Sequence, residues 1–457
     1  MGDVIVKQTG RPTFENPENT RSHELKKLLG VVFGIAVLVG GTIGSGILRN
    51  PGTIAQLLDN YWLIIGCWLF GGLYVLMGVG SFSELATMFP KAGGAYNYVK
   101  EAYGNYPAFL TGWFDFISNG ITPAYFCILI GEYFILLFPG LGGHEKTIAI
   151  AFLLCFTMLH LTGVKTASIV QQITSALKVI IFAALIIACF VLVDGPTGTG
   201  TNNTANNVIT GTILIAILQS LQLVFGTYSG WNSTCFFAEE DKNPTKNIPR
   251  SLYSGAIIVI LIYVLINMAF LHVLPVAALA NSTLVASDVA EVLFGKTGAT
   301  LITIVALFSI VSILNAYMMI PARILFGMSR DKFFVSRGTY VNSKGTPTFS
   351  LIFSALLNLV LIIIGSFNTL FALSAFMSVT VFLFVYASLV KLRKSRPDLP
   401  RPYKAWGHPV TTFILIILSA GLLIGFAFGD PPNLIVMLVV TALSFPVYRL
   451  LVKKNKA

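Results

Sequence analysis

The chain has 457 residues, of which 55% are hydrophobic and only 11% charged, with 30 Lys and Arg against 19 Asp and Glu for a formal net charge of +11. Soluble domains average roughly 25% charged residues, and a chain folded in water cannot hide so large an apolar fraction. Composition therefore excludes an ordinary soluble protein and makes lipid the solvent for most of the chain.

Apolar runs of about 20 residues, the length an α-helix needs to cross a hydrocarbon core of roughly 30 Å, recur near residues 28–56, 61–88, 106–138, 147–162, 168–193, 209–238, 252–276, 297–328, 347–366, 369–392, 411–429 and 432–452. The pattern predicts an all-α membrane protein with 12 transmembrane helices. Alternating segments of about ten residues, the mark of a membrane barrel, are missing. If the N-terminus is cytoplasmic, the outer loops hold only Lys146 and Lys296 of the basic residues, Arg49 and Lys178 lie within spans, and the rest fall at the inner face. This is the positive-inside pattern, and it puts both termini in the cytoplasm. A nucleic-acid surface would not be divided among loops in register with the spans. Residues 1–27 read as a cytoplasmic tail with no cleavable leader before the first span, and residues 453–457 as a second tail. Cys67, Cys127, Cys155, Cys189 and Cys235 sit in or near spans without CxxC spacing, and the five histidines are scattered singly, so neither a disulfide framework nor a metal centre is expected.

Two spans are interrupted. The first, residues 31–52, reads VVFGIAVLVGGTIGSGILRNPG, with Gly40, Gly41, Gly44 and Gly46 close together. Glycine costs about 1 kcal/mol against alanine in a helix interior, so the cluster predicts local unwinding. The sixth, residues 223–240, reads LVFGTYSGWNSTCFFAEE, broken by Gly226, Thr227, Ser229, Gly230 and Asn232. Glycines of this kind also let helices pack closely; two clusters in corresponding places favour unwinding, which is tolerated in a bilayer only against protein or a water-filled cavity. Residues 28–193 hold helices 1 to 5 and residues 209–394 helices 6 to 10, each set opening with an interrupted helix, while residues 411–452 hold helices 11 and 12. Five is odd, so the second set runs the opposite way through the membrane. Such an inverted repeat places a ligand site near the midplane, between the breaks.

A helix fragment that starts after a break presents unpaired N–H groups and the positive end of its dipole. Ile43, Gly44, Ser45 and Gly46 would offer that backbone to a carboxylate. The fragment ending near Gly226 and Thr227 offers carbonyls suited to an ammonium group, and a zwitterionic amino acid needs both. Phe225, Tyr228 and Trp231 are expected at the wall or gate, although aromatic packing explains them equally well, and the Asn232 amide would hold the broken backbone. Lys178 lies deep in the fifth span, where a lipid-facing lysine costs about 2.5–3.5 kcal/mol. It is expected to reach the first break, as a fixed charge or as a proton-exchanging group, with snorkelling to the interface the alternative. Glu84, Asp115 and Glu132 are weaker acidic candidates for proton coupling. No nucleophile–base arrangement, phosphate loop or HExxH occurs, so neither an enzyme nor a cofactor is expected.

These residues also resemble a family. VGGTIGSGILRNPG at residues 39–52 is similar to the first-helix motif of the amino acid, polyamine and organocation superfamily. ELATMFPKAGGAYNYVKEAYG at 84–104 looks like its signature after the second span. GWN followed by AEEDKNPTKNIPR, ARILFGMSRDKFF with TPTFS, and PRPYKAWGHP at 400–409 resemble the L-type amino acid transporters. The resemblance implies the leucine-transporter fold, five plus five inverted helices and two more. It also implies carboxylate binding at Gly44, Ser45 and Gly46, and an amine and side-chain pocket at Phe225, Gly226 and Tyr228. Asn232 would serve site geometry, and Lys178 would stand where sodium-coupled relatives bind sodium. Many L-type proteins carry phenylalanine where this chain has Gly226, which leaves side-chain size open. The loop of residues 140–146 lacks the cysteine with which some members join a heavy chain, so no disulfide-linked companion is expected.

The resulting expectation is a permease that works by alternating access and exchanges L-amino acids without sodium. Proton-coupled symport and carriage of polyamines or other amines are the alternatives within transport, and a non-transporting amino acid receptor is the alternative outside it.

Overall fold

The computed structural model describes residues 25–44, 46–194, 211–282 and 284–454. The first part of the N-terminal tail, the start of the sixth predicted span and Ser45 lie outside the described residues. Sixteen helices follow in chain order: α1 (Val31–Thr42), α2 (Gly46–Leu58), α3 (Tyr61–Met88), α4 (Ala95–Tyr103), α5 (Asn105–Leu137), α6 (Glu145–Leu161), α7 (Val164–Leu192), α8 (Gly211–Tyr228), α9 (Pro244–Val273), α10 (Val276–Ala280), α11 (Val285–Phe294), α12 (Lys296–Arg330), α13 (Thr348–Ile364), α14 (Phe367–Ser395), α15 (Val410–Gly429) and α16 (Pro431–Lys454). Among the described residues nine helical spans pass a length and hydropathy test for crossing a bilayer, and the bent pair α1 and α2 makes a tenth. α6 and α13, each of 17 residues, are shorter than the test requires, so nine to ten spans stand among the described residues against the twelve that apolar run length predicts.

Local chemistry fixes the ends. Asn60 caps α3 by accepting a hydrogen bond from the Leu63 amide at 3.0 Å, meeting one of the donors that a helix start leaves unpaired. Gly104, at φ +85°, turns the chain between α4 and α5, a conformation costly for residues with a Cβ. Pro244 opens α9, where its missing N–H loses nothing. The short α4, α10 and α11 were not expected from the run lengths: α4 is amphipathic, buries Tyr96, Tyr98 and Val99, and leaves Tyr103 exposed.

The helices pack in pairs related by exchange of the two sets. Each of α3, α5 and α6 packs against the helix of the same rank in the second set, α9, α12 and α13. Contacts between the sets recur in mirrored form: α1 on α9 matches α8 on α3, α5 on α14 matches α12 on α7, and α4 on α14 matches α11 on α7. The result is a multi-pass bundle with pseudo-symmetric packing. α15 and α16 lie outside it, and large apolar side chains on them, such as Ile417, Phe428 and Leu438, are exposed to the lipid solvent.

The bundle end carrying the basic loops is tied by ion pairs. Glu240 and Arg323 meet at 2.7 Å with side chains 1% and 3% exposed, and the guanidinium stands 4.7 Å from the Phe237 ring centroid. Glu239 pairs with Arg330 and Lys100 with Asp331, each at 2.7 Å. Glu84 is fully buried and accepts from Arg393 at 2.8 and 2.5 Å and from the Ala405 amide at 2.7 Å, with Arg401 at 3.3 Å.

Candidate functional site

The two interrupted helices meet at the centre. α1 ends at Thr42 and α2 restarts at Gly46, bent by 43° from it. α8 stays helical to Tyr228, beyond the expected break at Gly226 and Thr227. The chain then turns through Gly230, at φ +100°, and continues as a 3₁₀ helix, Ser233–Glu240. A Cβ built on Gly230 would stand 2.7 Å from the Gly41 carbonyl oxygen, and one on Gly46 3.1 Å from the Thr227 side chain. Glycine is thus required at Gly230, where the two backbones approach, while Gly46 is packed tightly on the Thr227 side chain.

Carbonyls at the end of α1 lack intrahelical partners, and side chains from three other helices supply donors. Lys178 is 1% exposed, and its ammonium donates to the carbonyls of Gly40 at 3.0 Å and Ile43 at 2.6 Å. Ser309 donates to Ile43 at 3.1 Å. The Tyr263 hydroxyl lies 2.8 Å from the Thr42 carbonyl and 3.0 Å from that of Thr227, so it bridges the ends of α1 and α8. A cation beside a helix C-terminus also complements the dipole. One turn earlier, Ser175 and Gln171 donate to the Ala36 carbonyl, and Asn315 donates to Gln171 at 2.7 Å. On the other side of the break, Asn50 of α2 donates to the Thr227 hydroxyl at 2.7 Å.

Between the breaks lies a cavity of about 490 Å³. One wall is backbone and small side chains from both broken helices: Gly41, Thr42, Gly44, Gly46, Gly226, Thr227 and Ser229. The facing wall is aromatic, with Tyr125 and Phe126 of α5, Tyr317 of α12 and Phe371 of α14. Thr42 and Thr227 each have a carbonyl turned to Tyr263, and Gly226 accepts from the Ser229 amide at 3.2 Å. The carbonyls of Thr42, Thr227 and Gly226 are thus already engaged within the protein.

The expected site residues divide into groups. Gly44, Gly46 and Gly226 line the central cavity; Ile43 is buried and contributes its carbonyl; Ser45 lies outside the described residues. Phe225, Tyr228 and Trp231 line a neighbouring, more apolar cavity of about 430 Å³ toward α3 and α15. There Phe225 packs on Tyr74 at 4.7 Å, Tyr228 donates to the Trp68 carbonyl at 3.2 Å, and Trp231 packs edge-on to Phe82 at 4.9 Å. Asn232 and Asp115 line a third, polar cavity. Lys178 reaches the first break, Glu84 belongs to the ion pairs at the bundle end, and Glu132 is exposed. Tyr263, Ser309, Tyr125, Tyr317 and Phe371 were missed. Tyr263 is the one the sequence signals, a polar group in the middle of the apolar run IVILIYVLIN.

A polytopic helical bundle whose ligand cavity lies between two broken helices is a membrane carrier. The model of the family described as amino acid permease matches residues 26–448. The chain is 30% identical over 414 residues to the serine/threonine exchanger SteT of Bacillus subtilis (strain 168), covering 88% of this chain and 91% of that one. It is 29% identical over 429 residues to the b(0,+)-type amino acid transporter 1 of Mus musculus, covering 90% and 85%. It is 27% identical over 437 residues to the large neutral amino acids transporter small subunit 2 of Homo sapiens, covering 93% and 80%. The chain belongs to the amino acid permease family, within the amino acid, polyamine and organocation superfamily and related to its L-type branch. It is a secondary active amino acid transporter, not an enzyme.

Proposed function

We propose that this permease exchanges L-amino acids across the bilayer without sodium, binding them in the cavity between the two breaks. The observation that carries this reading is the wall of that cavity, where Gly44 and Gly46, beside and at the start of α2, stand with Gly226, Thr227 and Ser229 at the end of α8. The substrate carboxylate is held by the amides at the start of α2, and the ammonium group by carbonyls of the turn after Tyr228. The Cβ that Gly226 lacks leaves room beside the Phe371 ring, 3.5 Å from where that atom would stand. Phe371 therefore closes the side-chain end of the cavity from α14. Lys178 takes by its fixed charge the place of a coupling cation at the end of α1.

In this reading the helices form two inverted sets of five, residues 28–193 and 209–394, with α15 and α16 added. The spans number twelve and both termini face the cytoplasm, in keeping with the basic loops. Alternating access follows from tilting α1, α2 and α8 against the paired α5 and α12. No disulfide-linked companion is required, since the loop of residues 140–146 has no cysteine.

Purified protein in liposomes tests the proposal with labelled neutral amino acids. Exchange predicts uptake only into vesicles preloaded with amino acid, unchanged when choline replaces sodium. Uptake into empty vesicles that is driven by an inward proton gradient and lost when that gradient is dissipated would instead establish proton symport, and a sodium requirement would overturn the role given to Lys178.

A further inference from the structure

The third cavity, of about 320 Å³, adjoins the central one and shares Tyr125, Ser229, Tyr317 and Ser374 with it. Its wall is polar, with Asp115, Asn119 and Thr122 from α5, Ser229 and Asn232 from the second break and Ser374 from α14. Asp115 is 3% exposed. Its Oδ1 accepts from Asn119 at 2.8 Å, while its Oδ2 is buried with no hydrogen-bond partner. The neighbouring hydroxyls are committed elsewhere: Ser118 donates to Ser374 at 2.8 Å, and Thr122 to the Ser118 carbonyl at 2.9 Å. Among the described residues no lysine, arginine or histidine pairs with Asp115. The titratable groups around it are Tyr125 and Tyr317 on the cavity wall, with Tyr98 of α4 and Cys235 of the 3₁₀ helix beside it.

A buried carboxylate with neither counter-charge nor full hydrogen bonding costs several kcal/mol. Asp115 therefore holds either a proton or a cation, and the substrate's own cavity is the route by which a cation reaches it. We propose that Asp115 is a side-chain subsite for the positively charged terminus of a basic amino acid, and that a proton takes that place when a neutral amino acid is carried. The inference rests on the amino acid carriage proposed above and names a substrate class for the same site. Charge balances without any covalent change beyond one O–H bond. The inward carrier holds ionised Asp115 with a lysine cation. The outward carrier holds protonated Asp115 with a neutral amino acid, so each lysine that enters expels one neutral amino acid and one proton.

The test uses the full chain in liposomes preloaded with alanine and a luminal pH dye, offered labelled lysine or labelled alanine. Lysine should enter with alkalinisation of the lumen at about one proton per lysine, while alanine exchange leaves luminal pH unchanged. Lowering external pH should raise the KM for lysine relative to that for alanine, because proton and lysine compete for one carboxylate. Asp115→Asn should lower the lysine-to-alanine uptake ratio by about tenfold or more and abolish the proton movement. Failure to exchange any amino acid would overturn the carriage reading itself. Alanine exchange without lysine entry or competition would overturn the subsite alone, as would lysine entry with no luminal pH change. The competition and proton measurements on the unmodified protein need no variant to fold.

Discussion

Gly230→Ala places a methyl group where the two broken helices touch. At φ +100° a residue with a Cβ is strained, and that Cβ would lie 2.7 Å from the Gly41 oxygen, at least 0.7 Å closer than ordinary contact at 3.4 Å. Backbone strain of this kind costs about 1–3 kcal/mol. The neighbour is backbone and cannot rotate away, so the remaining shortfall must separate the end of α1 from the second break. A misplacement near 1 Å among positioning groups costs about 100-fold in rate. Gly104→Ala provides the comparison: its φ is +85°, but nothing lies within 4 Å of the added Cβ. Both variants should lose thermal stability through the backbone penalty, measured by size-exclusion after heating in detergent. Only Gly230→Ala should lose exchange, by about 100-fold in initial rate. Exchange within twofold of the unmodified protein would refute the claim that this contact sets the geometry of the site.

Lys178→Met keeps the side-chain volume and removes the donors to Gly40 and Ile43, of which Ile43 retains only Ser309. With hydrogen bonds from a charged donor worth about 1.5–3 kcal/mol each, exchange should fall more than tenfold, and added sodium should not restore it. A rate close to that of the parent would show that the ammonium does not hold the end of α1. Arg323→Ala leaves Glu240 buried without its partner and should destabilise the protein by about 3–5 kcal/mol. The double variant Arg323→Met with Glu240→Gln should recover most of that loss, and melting midpoints that fall equally for both would refute the pairing argument.

The spans were legible because a bilayer imposes their length. α3 matches its apolar run residue for residue, and α5 and α12 within two residues. The first break was legible in Gly40 to Gly46 because four glycines crowded in one span, matched by a second cluster, favour unwinding over close packing, whereas the second began later than its first glycine. Gly226 stays helical, and the Tyr263 hydroxyl and the Asn50 amide meet the carbonyl and the hydroxyl of Thr227 beside it. What the sequence conceals is which distant residues face the breaks. Tyr125, Ser309, Tyr317 and Phe371 come from three spans, and nothing in each span's own pattern tells a cavity-facing side chain from a packed one. Glu84 shows the same limit from the other side: as an acid near a span end it reads as an interface anchor or a weak coupling candidate, and only the fold brings Arg393 and Arg401 to it.

Tyr263 has one hydroxyl hydrogen and two carbonyls within reach, Thr42 at 2.8 Å and Thr227 at 3.0 Å. Rotation about its C–O bond hands that hydrogen from one helix end to the other. A displacement that pulls α1 away while α8 draws closer then exchanges one hydrogen bond for another and breaks none. The pivot is stiff against separation of both fragments at once and soft against their opposed rocking, which is the motion that opens one side of the carrier as it closes the other.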